Sequence, residues 1–255
     1  MKSLVDINDI KFSYDEKEVL KGITLNFDKG KFYSIIGPNG CGKTTLIKNI
    51  SNLISPKKNT VFIDNKDLVS MTSKEIAKIL ASVPQNIHIN YEFKVYDVVM
   101  MGRVPHKGRF EGYNKEDKEL VKKAMDKADI WKFKDKLVTE LSGGELQRVI
   151  AARALAQDTD IILLDEPTSH LDLQYQIEFL KIFKDICNDK VIIAVLHDLN
   201  LVSLFSDEII MLKDGKIVDI GETDEVMTKK NIKNVYNIDV EIYKDNNKRY
   251  ILPII

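Results

Sequence analysis

Two cysteines, one tryptophan and six prolines in 255 residues set the first limits. Cys41 and Cys187 fall in different segments, too few for a disulfide framework or a cysteine-rich metal site, so both are expected as reduced thiols. An excess of one charge is also missing. The 38 basic and 39 acidic residues nearly cancel, which leaves no electrostatic case for nucleic acid or for an anionic membrane surface. Uninterrupted apolar runs such as 161–164 and 191–196 fall far short of the roughly 20 residues that span a bilayer. The amino-terminal stretch 1–6 meets Asp6 before a signal-like apolar segment could form, so the expected location is cytoplasmic. Any membrane role is then expected to work through a protein partner. His88, His106 and His170 show no metal-ligand spacing, and there are neither internal repeats nor low-complexity linkers.

What is present is more pointed. Gly37-Pro38-Asn39-Gly40-Cys41-Gly42-Lys43-Thr44 fits the phosphate-loop pattern G-x-x-x-x-G-K-[ST], between a predicted strand at 31–36 and a predicted helix at 44–51. The glycines let backbone N–H groups turn inward around phosphate oxygens, and the helix start adds its positive dipole end. Lys43 supplies a point charge for the outer phosphates, and the Thr44 hydroxyl suits Mg²⁺. A glycine-rich turn alone would not explain the strand, loop and helix order.

A second acidic signal lies far downstream. The apolar strand 161–164 runs into Asp165 and Glu166, and successive strand residues point to opposite faces, so the two carboxylates cannot share one role. Asp165 is assigned to Mg²⁺ through its water shell, and Glu166, leaving the strand, to polarising an attacking water. Together the two segments predict a chain that binds and hydrolyses ATP.

Alternation predicts further strands at 5–10, 24–27, 60–63 and 81–83. After Ser142 the order becomes helix, strand 161–164, helix 172–186, strand 191–196, helix, strand 208–212, which implies a largely parallel sheet covered by helices. Between them, 86–140 reads as a helical insert with helices at 95–101 and 115–128. The charged run Lys115-Glu116-Asp117-Lys118-Glu119 is read as its solvated face. Asp214-Gly215 reads as a hairpin turn, and the tail from Asp239 as two short strands around a turn at 244–248.

Kinases and small GTPases share these elements until Leu141-Ser142-Gly143-Gly144-Glu145-Leu146-Gln147-Arg148 is considered. Ser142 and Glu145 fit the capping box S-x-x-E, so Ser142 should cap a helix over 145–156. Two glycines beside that cap leave N–H groups at a positive helix end, which suits an anion. The segment resembles the signature of the ATP-binding cassette family, and the resemblance covers essentially the whole chain, with the expected motifs in the expected order.

The resemblance implies an α/β fold: a phosphate-loop NTPase (RecA-like) core with a mostly parallel sheet, an amino-terminal antiparallel β subdomain and an inserted α-helical subdomain. The chain would be one nucleotide-binding domain over 1–255, with 1–85 and 156–255 forming the β subdomain and core, and 86–155 the helical subdomain. Tyr14 matches the aromatic that stacks on adenine, although a lone tyrosine near a strand end also suits packing. Thr45 is placed among the nucleotide-binding residues, Gln85 matches the glutamine that touches Mg²⁺ and the water, and His197 matches a histidine that contacts the terminal phosphate. Ser169-His170-Leu171-Asp172 matches a loop that crosses a dimer interface, and Asp172 is also placed to cap its own helix.

In such proteins Ser142, Gly143 and Gly144 would meet ATP held by a second copy in a head-to-tail dimer. Glu145 stands where the family usually has Gln, and Cys41 where Ser is common, which raises the expectation that alkylation of Cys41 blocks ATP binding. Val98-Val99-Met100-Met101-Gly102-Arg103-Val104-Pro105-His106, together with Thr168 to Asp172, resembles the ATPases of ferric-siderophore, haem and cobalamin importers. The implied partners are a transmembrane permease dimer, docking at 86–101 on the cytoplasmic face, and an external substrate-binding protein. A soluble cassette ATPase is the competing reading.

Overall fold

Apolar residues of the first two strands are buried, Val5, Ile7 and Ile10 on one and Leu20, Ile23, Leu25 and Phe27 on the other, with the alternation broken by a register shift between Ile7 and Ile10. The computed structural model describes residues 3–85, 91–169, 171–245 and 248–254. In it β1 (Val5–Tyr14) and β2 (Lys17–Phe27) pair antiparallel through a two-residue turn at Asp15-Glu16, with Tyr14 opposite Lys17. Both strands run past the ends that alternation predicts, because the ladder continues through Ile10 opposite Ile23 and Phe12 opposite Leu20 to the turn, across register shifts that break the alternation. They join β4 (Val61–Ile63) and β5 (Lys66–Asp67) in a sheet of order β2-β1-β4-β5.

Between them lie β3 (Lys31–Ile36) and α1 (Lys43–Ile50). From Phe32 to Ile36 every residue of β3 is buried, the mark of a strand covered on both faces.

The chain divides into two compact units, Met1–Met71 with Cys187–Ile255, and Thr72–Ile186. The second opens with α2 (Ser73–Ile79) and β6 (Leu80–Val83). The helix was missed by periodicity, although Thr72 and Glu75 form a full capping box at its start. α3 (Val95–Met100), α4 (Lys115–Lys127) and α5 (Gly143–Ala156) follow, then β7 (Ile161–Asp165), parallel to β6, and α6 (Leu173–Lys184). Phe179 and Phe183 of α6 are buried with ring centroids 5.1 Å apart.

One expectation fails here. Asp117 is not part of a solvated face: it is 2% exposed and bonds the buried Arg103 at 3.0 Å, with Lys107 as a further ion-pair partner. A run of charges by itself does not reveal that one member turns inward to meet a buried guanidinium. Lys115 and Glu119 of the same run do remain exposed.

The chain returns to the first unit with β8 (Val191–Val195), α7 (Leu199–Phe205), β9 (Glu208–Lys213) and β10 (Lys216–Glu222). There β3 pairs parallel with both β8 and β9, while β10 folds back antiparallel on β9 through Asp214-Gly215, both at positive φ. α8 (Thr223–Val226), α9 (Lys229–Tyr236) and the hairpin of β11 (Val240–Asp245) and β12 (Lys248–Pro253) complete it. The middle of the predicted 244–248 turn lies outside the described residues. No helix among the described residues is long and apolar enough to cross a membrane.

Candidate functional site

Within the first unit, one group of candidate residues is set by two neighbouring parallel strands. β3 runs into Gly37 and β8 into Leu196 and His197, with Ile35 opposite Val195, so the phosphate loop and His197 leave the same carboxyl edge. Gly37 has φ +150°, and a Cβ there would stand 2.1 Å from the Leu212 carbonyl oxygen. Only glycine fits between the loop and β9. The β9–β10 turn braces the loop from outside, Gly215 N–H donating to the Cys41 carbonyl at 3.1 Å.

Gly42, at φ +110°, begins α1 with no side-chain cap and no acid in the first turn, leaving the helix N–H groups and dipole for an anion. Lys43 is 4% exposed, and its ammonium donates to the carbonyls of Gly37 at 2.8 Å and Pro38 at 3.0 Å, which curls the loop around its own lysine. Thr45 is buried, while Asn39 and Gly40 lie at the exposed crest. Cys41 is 4% exposed, and burial pushes its thiol up. Tyr14 is 45% exposed, held edge-on by Phe12 with centroids 5.0 Å apart, so one ring face stays open for stacking.

A second group of candidate residues, the acidic one, lies within the second unit. The β6–β7 register pairs Val83 with Leu164, so the residues two positions further along each strand, Gln85 and Glu166, come together. Gln85 Nε2 donates to Glu166 Oε2 at 2.5 Å. Asp165 is buried at the end of β7, and Glu166 leaves the strand at φ +47°.

At the glycine-rich segment, Ser142 and Glu145 form the expected capping box. Glu145 Oε2 accepts from the Ser142 N–H at 2.8 Å and from the Ser142 hydroxyl at 2.8 Å. These hydrogen bonds, the backbone one first, hold Glu145 below the usual carboxylate range. The helix begins at Gly143, not at 145, because the cap ends one residue before it. Asp172 occupies the N-cap position of α6 but makes no side-chain cap hydrogen bond, so the structure does not give it a capping role. His88, His170 and the stretch 86–90 of the expected docking region lie outside the described residues.

Sequence reasoning missed the support of this segment. Arg103 donates to the Ala156 carbonyl at 2.8 Å, and His106 Nε2 contacts the Gln157 carbonyl at 2.8 Å, so the Gly102–His106 turn caps the far end of α5. Gly102 allows it, since a Cβ there would lie 2.4 Å from the Arg153 carbonyl oxygen. The signal was in the sequence as Gly102-Arg103-Val104-Pro105-His106, but periodicity assigns such a turn no partner.

A phosphate loop between strand and helix is common to many nucleotide-binding proteins; the capped glycine-rich start of α5 is the feature that narrows this chain to the ATP-binding cassettes. A family model described as ABC transporter matches residues 20–169, and relatives match over nearly the full length. An uncharacterized ABC transporter ATP-binding protein of Methanocaldococcus jannaschii is 40% identical over 253 residues, 98% of each chain. The iron(3+)-hydroxamate import ATP-binding protein of Bacillus subtilis is 37% identical over 234 residues, 91% of this chain and 87% of that one. A solved dimeric bacterial ABC transporter cassette superposes with a TM-score of 0.75 at 28% identity, covering 86% of this chain and 98% of the other. The chain belongs to the ABC transporter family, as an ATP-binding subunit with ATPase activity.

Proposed function

We propose that this chain hydrolyses ATP to drive import of a metal chelate, a ferric siderophore first among them, through a membrane permease. The observation that carries the catalytic reading is the 2.5 Å hydrogen bond from Gln85 to Glu166. It fixes one oxygen of the Glu166 carboxylate, and a general base must be held in place in this way. The likeness to the iron(3+)-hydroxamate import protein supports the substrate class.

In this mechanism Tyr14 stacks on adenine, and Gly37, Pro38, Asn39, Gly40, Cys41 and Gly42 present backbone N–H groups to the phosphates, all except Pro38, which lacks one. Lys43 neutralises the outer phosphates, Thr45 belongs to the same nucleotide-binding set, and His197 contacts the terminal phosphate. The Thr44 hydroxyl, the Asp165 carboxylate and the Gln85 amide oxygen are hard oxygen donors that fit Mg²⁺, whose charge would neutralise the phosphate oxygens. Glu166 accepts a proton from water attacking the terminal phosphate in line.

Ser142, Gly143 and Gly144 offer the positive start of α5 to ATP bound by a second, head-to-tail copy, with Asp172 at that interface. Closure on ATP and reopening after phosphate release would move a permease dimer at the cytoplasmic face, fed by an external binding protein. One nucleotide-binding domain carries these parts, with 86–155 as its helical subdomain.

The test is uptake of labelled ferric siderophores, haem and cobalamin in cells lacking this chain, complemented with wild type or Lys43→Ala. Selective loss that only wild type restores is expected for ferric siderophores. Unchanged uptake of all three, with redundant systems removed, contradicts the import reading and leaves the ATPase reading standing.

A further inference from the structure

Glu166 stands in the left-handed region at φ +47°, which is costly for a residue with a Cβ and persists only when its neighbours over-determine it. The next residue, Pro167, has no N–H, so its carbonyl is the single backbone hydrogen-bonding group through which that position can be held. Gln147, one turn into α5, fills this role: its Nε2 donates to the Pro167 carbonyl at 2.9 Å. At the far end of the loop, Gln176 of α6 donates to the carbonyls of Thr168 at 3.1 Å and Leu171 at 2.9 Å. The Ser169 hydroxyl closes back on the Glu166 carbonyl at 3.2 Å.

The two helices are themselves locked beside this loop. A Cβ on Gly144 would sit 3.4 Å from the Tyr175 ring, so α5 and α6 touch at the glycine pair. Arg148 lies 5.5 Å from the centre of the same ring, bonds Asp129 at 3.4 Å and pairs with Glu178. One face of the helix that starts at the glycine pair therefore grips the backbone directly behind Glu166.

We propose that Gln147 and Gln176 are positioning residues for Glu166, setting its carboxylate through the backbone of the loop that follows it, without contacting nucleotide. The proposal rests on the reading of Glu166 as the general base. The glycine-rich segment thereby gains a second role, because an anion engaged at Gly143 and Gly144 bears on the same helix that holds the base of its own chain.

The test is steady-state ATPase kinetics of the full-length chain carrying Gln147→Leu, Gln176→Leu or both, each also combined with Glu166→Gln. With Glu166 present, Gln147→Leu is expected to lower kcat about tenfold or more, the scale of a misplaced catalytic group. KM for MgATP should stay within about twofold, because the phosphate loop is untouched. In the Glu166→Gln background the same substitution should change turnover by less than about twofold, since its effect runs through the missing carboxylate. A kcat equal to wild type, a raised KM with kcat unchanged, or the same loss in both backgrounds would overturn the proposal. If Gln147→Leu does not fold, as circular dichroism would show, Gln176→Leu carries the same comparison. Near-normal turnover in Glu166→Gln alone would instead remove the reading of Glu166, which separates the two failures.

Discussion

Gln85 and Glu166 stand 81 positions apart in sequence and share a hydrogen bond of 2.5 Å. The contact follows from strand register, because Val83 opposite Leu164 leaves both side chains two residues beyond the last ladder pair. Gln85→Leu removes the donor at nearly constant volume, so kcat should fall about tenfold or more while ATP affinity holds. Turnover kinetics beside equilibrium binding of a fluorescent ATP analogue would check it.

Lys43 is a buried cation whose ammonium meets the loop's own carbonyls at 2.8 and 3.0 Å. Lys43→Ala should therefore weaken ATP binding about tenfold or more, the scale of a charge-assisted hydrogen bond to phosphate. Titration of the same analogue tests this, and affinity equal to wild type would refute the assignment of Lys43 to the phosphates.

The motifs were legible because each needs a fixed residue type at a fixed spacing. The Gly37 to Thr44 segment, the acids after strand 161–164 and the capping box at Ser142 need no tertiary information to be found. Strand β3 matches its expected bounds at both ends, because Gly30 and Gly37 punctuate it. What was not legible depends on contacts between distant segments. The inward turn of Asp117 requires Arg103, and the hold of Gln147 on Pro167 requires two elements to meet. α2 was hidden for a different reason, since only Ile76 of its seven residues is buried, leaving too weak an apolar stripe to read. Asp172 was a reasonable cap by residue type, but its side chain makes no bond to the helix.

Arg103→Ala leaves the Asp117 carboxylate buried without its guanidinium and uncaps the end of α5. Lys107 still pairs with the carboxylate, so the loss should be about 1–3 kcal/mol, the scale of a hydrogen bond to a charged group, and Arg103→Ala with Asp117→Asn should recover part of it. Burial raises the Asp117 pKa, but Lys107, the Asn114 N–H and Arg103 together pull it down to about 2. A depressed carboxylate stabilises the fold above its unfolded pKa, so this contribution should be intact near pH 5 and fade as pH falls from about 4 towards 2. Urea unfolding across that range, for wild type and Asp117→Asn, would show the slope in wild type and a flatter one in the variant.

Glu145 places an ionised carboxylate at the start of the helix proposed to meet ATP. Glu145→Gln keeps an acceptor for the Ser142 N–H and removes a charge that repels phosphate, so the apparent KM for MgATP should fall at nearly unchanged melting temperature. Glu145→Ala should instead lower the melting temperature, since losing half of a capping box costs about 1 kcal/mol. Turnover curves with thermal melts separate the two effects. A KM for Glu145→Gln at or above that of wild type would show that the carboxylate does not oppose the nucleotide.

The central claim, that this chain hydrolyses ATP with Glu166 as general base, is tested most directly by turnover of wild type and Glu166→Gln at saturating MgATP, with dimer formation followed by size-exclusion chromatography. The account predicts that kcat falls by about 10² to 10⁴, the scale of general-base loss, and that ATP traps the variant as a dimer. Near-normal turnover, or a variant that stays monomeric with ATP bound, would contradict it.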